Sequence, residues 1–218
     1  MSDNIEGKKK QVIGLYGEMQ LAMILHEKGW QVHRSYIDGG IDFVITKYFC
    51  RKCGQFSNQL IRNDDHKGKL KKCVTNLCEF CKTDDLDIIS KYLQVKTSEG
   101  KNKNDNARDF SFHPKIRYGI GSDMFYVWIA IFSKEFLKQK DDSIENPIVH
   151  FYIFNTNDVK LFDDISIVTY QVTDNQKTTL TINKSGVVLN KGKKYNYDCF
   201  KKFHNDFSCL DGFNKKGE

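Results

Sequence analysis

Apolar residues recur along this chain in two rhythms, and the change of rhythm marks the elements. Residues 9–28 contain no proline, keep an apolar stripe and end at Gly29, which predicts a helix. Leu15, Glu18, Ala22 and Leu25 follow a three-four spacing, so they are expected on one face, with Glu18 projecting from the apolar side. Carboxylates are seldom buried without a partner, so this position asks for one. Residues 30–35 alternate as a strand, Asp38-Gly39-Gly40 reads as a turn, and residues 41–46 form a second strand. A period of two turns Ile41, Phe43 and Ile45 one way and Asp42, Val44 and Thr46 the other. Asp42 thus interrupts an otherwise apolar strand.

A third strand, residues 92–97, carries Gln94 and Lys96 on one side. If it pairs with the second strand, Asp42, Gln94 and Lys96 converge, and a helix packed on that face brings Glu18 to them. Further along, residues 124–132 are a buried strand and residues 148–154 another. Residues 165–172, 178–183 and 187–189 read as short strands, with turns at Asp174-Asn175 and Ser185-Gly186. Residues 98–108 read as a polar loop, and residues 110–121 give only a poor helical pattern. A helix-like stretch at 197–210 places Cys199 and Cys209 among Phe200, Phe203, Phe207 and Leu210, as core residues.

Composition then limits the class. The 218 residues, 39% hydrophobic and 13% aromatic, suit one domain with a real core and room for an inserted module. The longest apolar run, nine residues, is too short to cross a bilayer. The first ten residues show no apolar region after their charges, so no signal peptide is expected and the expected location is cytoplasmic, without a membrane.

Charge singles out one segment. Of a net charge of +6, residues 47–82 supply all: nine basic residues against three acidic ones. The same segment holds five of the seven cysteines. Cys50 and Cys53, then Cys78 and Cys81, form two Cys-x-x-Cys turns, which together can close a tetrahedral four-sulfur zinc site. Cys73 is an alternate ligand and His66 a weaker one. Disulfides and redox pairs are the competing readings, disfavoured in a reducing compartment. A site of four thiolates leaves no open position, so the zinc is structural.

The order of Gly14-Leu15-Tyr16-Gly17-Glu18, Gly29-Trp30-Gln31-Val32, Asp38-Gly39-Gly40-Ile41-Asp42 and Gln94-Val95-Lys96-Thr97-Ser98 resembles the PD-(D/E)xK nuclease superfamily. The likeness is to its Mrr-like restriction endonuclease and archaeal-type Holliday junction resolvase branch, in a Gln-x-Lys variant. It implies an α/β restriction-endonuclease-like core, a helix followed by a mixed central sheet flanked by helices. Residues 1–46 and 83–218 would form that domain, with 47–82 an inserted four-cysteine zinc-ribbon-like module. The resemblance implies that Asp42 is the main Mg²⁺ (or Mn²⁺) ligand and that the side-chain oxygen of Gln94 completes the site. It also implies that Lys96 assists the attacking water and that Glu18 supports the metal.

The expected activity is Mg²⁺-dependent hydrolysis of DNA phosphodiesters by an endonuclease of restriction, defence or DNA processing, with RNA left open. Arg51, Lys52, Lys69, Lys71, Lys72, Lys115 and Arg117 are candidate phosphate contacts, which give affinity rather than sequence information; a solvated basic loop around His113 to Arg117 is an equal reading. Lys191, Lys193 and Lys194 are ambiguous in the same way. A catalytically inactive nucleic-acid-binding scaffold and a zinc-ribbon protein-interaction module are the alternatives. Cutting two strands usually needs two active sites, which a homodimer would supply.

Overall fold

The computed structural model describes residues 2–35, 40–57, 60–63, 75–102, 106–112, 123–132, 147–156, 158, 178–189 and 197–212. Helix α1 (Ser2–Glu27) comes first. It stops where Gly29 adopts a φ of +82°, with Gly29 N donating to His26 O and Trp30 N to Leu25 O, each at 2.9 Å. A left-handed residue at this position is one glycine adopts without strain.

Strands β1 (Gln31–Arg34) and β2 (Phe43–Cys50) pair antiparallel, Arg34 opposite Phe43. The two-residue β3 (Phe56–Ser57) turns back on the end of β2. β4 (Leu60–Asn63) and β5 (Thr75–Cys78) make a separate hairpin. The 14-residue β6 (Leu86–Glu99) pairs antiparallel with β2. After β7 (Lys101–Asn102) and β8 (Ala107–Phe112), β9 (Met124–Phe132) joins β6 in parallel. β10 (Ile148–Asn155) pairs antiparallel with β9 and closes the far edge. The main sheet therefore runs β1-β2-β6-β9-β10 and is mixed. β11 (Thr178–Asn183) builds a second, three-stranded sheet with β8 and β7.

Every residue of β9 is buried because both of its faces are covered. Met124, Tyr126, Trp128, Ala130 and Phe132 meet Phe110, Phe112, Leu180 and Ile182 of the second sheet. Phe125, Val127, Ile129 and Ile131 meet Leu21 and Leu25 of α1. Burying a side chain of this size stabilises by about 1.5–3 kcal/mol. The C-terminal segment serves both layers: a 3-10 helix (Asp198–Phe203) gives Phe200 and Phe203 to the first, and α2 (Ser208–Asp211) gives Leu210 to the second. It crosses at Asn205, whose amide N donates to Phe151 O at 2.7 Å while its Oδ1 accepts from Phe151 N at 2.9 Å.

Several expectations change. Among the described residues the sheet is flanked by α1 on one face and by the second β-sheet on the other. Among the described residues, 98–102 and 106–108 are mostly strand: Lys101 pairs with Asp109, and Ala107 and Arg108 are buried in β8. Phe110 and Phe112 likewise belong to β8, and residues 113–121 lie outside the described residues. On α1 the inward residues are Gly17, Leu21 and Leu25, while Leu15 faces out, 47% exposed. Residues 197–210 are two short helices instead of one. Strands 124–132, 148–154 and 178–183 form as expected. Residues 165–172 and the turn at Asp174 lie outside the described residues.

Candidate functional site

Two constellations carry chemistry. The first is the set of four cysteines. Their sulfurs all lie within 4.8 Å of one another, with Cys50 Sγ to Cys81 Sγ at 3.5 Å and Cys53 Sγ to Cys78 Sγ at 3.7 Å. The two turns are built alike. Gly54 N donates to Cys50 O at 2.9 Å, and Lys82 N donates to Cys78 O at 3.0 Å. Cys50 N reaches Gln55 O at 2.9 Å, as Cys78 N reaches Thr83 O at 2.8 Å. Gly54 and Lys82 occupy the same place with φ of +71° and +57°.

Each Cys-x-x-Cys turn thus presents two sulfurs to one point, and the four are positioned to hold a metal ion. Without one the thiols compete for protons. Burial is the largest influence on Cys78, yet backbone N–H bonds from Cys81 and Phe80 and the neighbouring sulfurs outweigh it and bring it down to about 7. Burial, helped by its sulfur neighbours, pushes Cys53 up to about 12, and Cys81 also rises. A dication that neutralises several thiolates at once resolves that competition. Cys73 and His66 lie outside the described residues.

The second constellation is where β1, β2 and β6 meet. Asp42 immediately precedes β2; its N donates to Leu93 O at 2.8 Å, and its Oδ2 accepts from Val95 N at 2.6 Å. Its side chain is therefore fixed across β6, with Oδ1 outside any hydrogen bond among the described residues. Gln94 is 2% exposed, and its Nε2 donates to Gly40 O at 3.0 Å. That bond fixes the amide orientation and leaves Oε1 buried with no hydrogen-bond partner among the described residues.

Glu18 reaches the same place from α1, with Oε2 3.1 Å from a guanidinium nitrogen of Arg34. Burial raises its pKa above the usual carboxylate range; Arg34 opposes the rise, Asp42 adds to it and Lys96 counters it. Glu18, Asp42 and Lys96 thus act on one another electrostatically.

The route differs from the expected one. Leu93 and Val95 pack with Leu21 and Leu25 of α1, and Gly17 of α1 sits against Thr97. Gln94 and Lys96 alternate onto the opposite face, opposite Tyr126 and Trp128 in the ladder. α1 therefore packs behind the site, and Glu18 comes in beside β1 through Arg34. Ile41, expected beside Phe43 and Ile45, packs with the layer of Tyr92 and Trp128, because the regular strand starts only at Phe43.

Arg34 and Gly40 were missed from the sequence; an arginine one residue from the end of a strand gave no signal. Among the basic candidates, Lys52 is exposed, while Arg51 is bound to Asp87 by two hydrogen bonds of 2.6 Å. Lys47, counted in the basic segment, is buried in the core. Lys69, Lys71, Lys72, His113, Lys115, Arg117, Lys191, Lys193 and Lys194 lie outside the described residues. Cys199 and Cys209 are half-buried against the two core layers, and burial pushes Cys209 up to about 12.

Compared with known proteins, the chain matches no family model, no curated sequence and no solved structure. No helix among the described residues is long and apolar enough to cross a membrane.

Proposed function

We propose that this chain is a metal-dependent DNA endonuclease of the PD-(D/E)xK kind, with a structural zinc ion in its four-cysteine module. The observation that carries the reading is the buried Oε1 of Gln94, without a hydrogen-bond partner among the described residues, one residue before Val95, whose N holds the Asp42 carboxylate in place. A polar atom left without a partner costs about 1–3 kcal/mol, and a ligand that accepts its lone pair would recover that. The element order supports the reading: a helix, three antiparallel strands, then a strand parallel to the third.

Asp42, Gln94 and, beside them, Glu18 would hold a hard divalent cation, for which oxygen donors are suited. When bound, magnesium or manganese would supply Lewis-acid polarisation of the phosphate and lower the pKa of a coordinated water. Lys96 makes no hydrogen bond among the described residues, so its ammonium is available to offset charge on the phosphate. The exposed Lys52 on the first cysteine turn suits contact with the nucleic-acid backbone.

A second reading, a nucleic-acid-binding protein on an inactive nuclease scaffold, draws on two features. Gln94 contributes no charge, and Glu18 is already ion-paired with Arg34. One experiment separates them: plasmid, single-stranded DNA and single-stranded RNA incubated with Mg²⁺, Mn²⁺ or chelator. Asp42→Ala and Lys96→Ala are run alongside. The nuclease reading expects metal-dependent DNA cleavage that both variants lose. Salt-sensitive binding without cleavage would establish the scaffold, and cleavage surviving both variants would remove the proposed site. For zinc, metal analysis of the pure protein should give about one equivalent, and less than about half would reject the module.

A further inference from the structure

The outer face of α1 carries an apolar stripe that neither core layer uses. Val12 is 67% exposed, Leu15 47%, Met19 56% and Met23 57%. Their spacing of three or four residues sets them in one row, turned away from Gly17, Leu21 and Leu25. The row continues at both ends by four residues, to exposed Lys8 and exposed Glu27. It therefore reads Lys8, Val12, Leu15, Met19, Met23, Glu27: basic end, four apolar side chains, acidic end. The whole row covers about 28 Å at 1.5 Å per residue.

This row is self-complementary under reversal. A two-fold axis between residues 17 and 18 sets Val12 against Met23 of a second helix and brings Leu15 and Met19 together at the centre. It also sets Lys8 against Glu27 at both ends. An isologous contact requires this property, that the same patch complement itself when rotated. A membrane surface would favour basic residues along both flanks of the stripe, whereas this one ends in an acid.

We infer that the α1 stripe is the contact between two copies of this chain, packed as an antiparallel helix pair. The inference is independent of the nuclease reading, since none of the six residues belongs to the site built by Asp42, Gln94 and Lys96. The axes would lie about 8–10 Å apart, as for other helix pairs with medium-sized side chains. Each Lys8–Glu27 pair occurs twice, so reversing either charge places two like-charged contacts in the interface.

Sedimentation equilibrium across a concentration series tests it on the full chain. Wild type should be a concentration-dependent dimer. Met19→Lys should weaken association at least ten-fold while circular dichroism stays unchanged, since Met19 is exposed. Lys8→Glu alone and Glu27→Lys alone should each weaken it roughly five-fold, about 1 kcal/mol at two pairs per dimer. The double variant Lys8→Glu with Glu27→Lys in one chain should return to within about two-fold of wild type, which only the antiparallel two-fold arrangement provides. A monomer at every concentration up to about 200 µM, some twenty times the midpoint of a 10 µM dimer, would overturn the inference. So would a dimer indifferent to Met19→Lys, or one that the double variant fails to restore.

Discussion

Gln94 Nε2 donates to the carbonyl of Gly40 at 3.0 Å, and that bond decides that the amide oxygen is the end left without a hydrogen-bond partner among the described residues. Under the proposed nuclease reading, Gln94 is therefore oriented as an oxygen ligand. Gln94→Glu places a second carboxylate there and should tighten Mg²⁺ or Mn²⁺ binding roughly ten-fold, about 1.4 kcal/mol. Gln94→Leu, close in size and without the oxygen, should abolish detectable metal binding at the same concentrations while relieving the unpaired atom. Titration calorimetry with each metal reads both; equal affinity in wild type and Gln94→Leu would remove Gln94 from the site.

Removing the module's metal should unfold it locally. The four sulfurs within 4.8 Å cannot all be thiolates unless a cation neutralises them. Chelation, or Cys78→Ser, should release the two turns and expose the Cys50 end of β2, with a fall in thermal midpoint of several degrees. Because ligation requires deprotonated thiols, metal loss should proceed faster as pH falls. Zinc release followed with a chromogenic chelator between pH 8 and 5.5 checks this; a rate that does not rise with acidity would contradict it.

Lys47 is a buried cation whose side chain is 4% exposed. Its Nζ donates to Lys28 O at 2.8 Å, pairs with Asp211 at 3.1 Å and sits over the Trp30 and Phe56 rings. It links the end of α1 to α2. Removing the partner should harm more than removing the lysine. Asp211→Ala leaves the ammonium short of compensation and should cost about 1–3 kcal/mol. Lys47→Met keeps the apolar stem among aromatic rings and should stay within about 1 kcal/mol of wild type. Urea unfolding of the two variants gives the order; the reverse order would mean that the ammonium stabilises through Lys28 O and the aromatic rings without needing Asp211.

The parts of this structure that were legible had strong local signals. Nine consecutive apolar residues made β9 unmistakable, and Cys-x-x-Cys spacing brought four sulfurs together without any knowledge of the fold. What failed was direction. Leu15 looked like an inward residue because the outer stripe of α1 is also apolar, so periodicity found the helix but not its buried side. α1 was put on the face of Gln94 and Lys96 but packs with Leu93 and Val95 instead, since pairing alone does not say which face a helix covers. β8 was hidden because Asp109 and Ser111 alternate with Phe110 and Phe112 beside a Lys- and Asn-rich stretch that reads as a loop. Nothing local announces that Arg108 is buried over the Phe132 ring, or that Lys47 is buried at all.

His150 and His204 form a pH-sensitive clasp between β10 and the C-terminal segment. His150 Nε2 faces Lys184 O at 3.1 Å and so carries a hydrogen, which leaves Nδ1 to accept from His204 Nε2 at 3.0 Å. Burial lowers both pKa values, and His204 lowers His150 further. In the unfolded chain each imidazole takes up its proton near pH 6.5, above the folded values, so the unfolded state binds more protons in that window. Stability should be at its plateau above about pH 6.5 and decline as pH falls below it. Thermal midpoints from pH 8 to 5 should show the decline, and His204→Gln should flatten it. An equally steep decline in that variant would assign the acid sensitivity to other groups.

Gly17 and Thr97 hold α1 against β6 more closely than any side chain would allow. A Cβ on Gly17 would lie 2.7 Å from Thr97 Cγ2 and 3.1 Å from its Cβ, with the hydroxyl nearer still. In an exposed helix interior, glycine to alanine stabilises by about 0.8–1 kcal/mol. At position 17 the sign should reverse, because the β-branched threonine is stiff and α1 or β6 must move, a cost of about 1–3 kcal/mol. Glu18 is the next residue, so the same movement should shift its contact with Arg34. Thr97→Gly removes the obstructing side chain, and the double variant with Gly17→Ala should recover most of the loss relative to Thr97→Gly alone. A double-mutant cycle in stability therefore isolates the contact, with coupling of about 1–3 kcal/mol expected. A stabilising Gly17→Ala, or two additive substitutions, would show that α1 is not seated on Thr97.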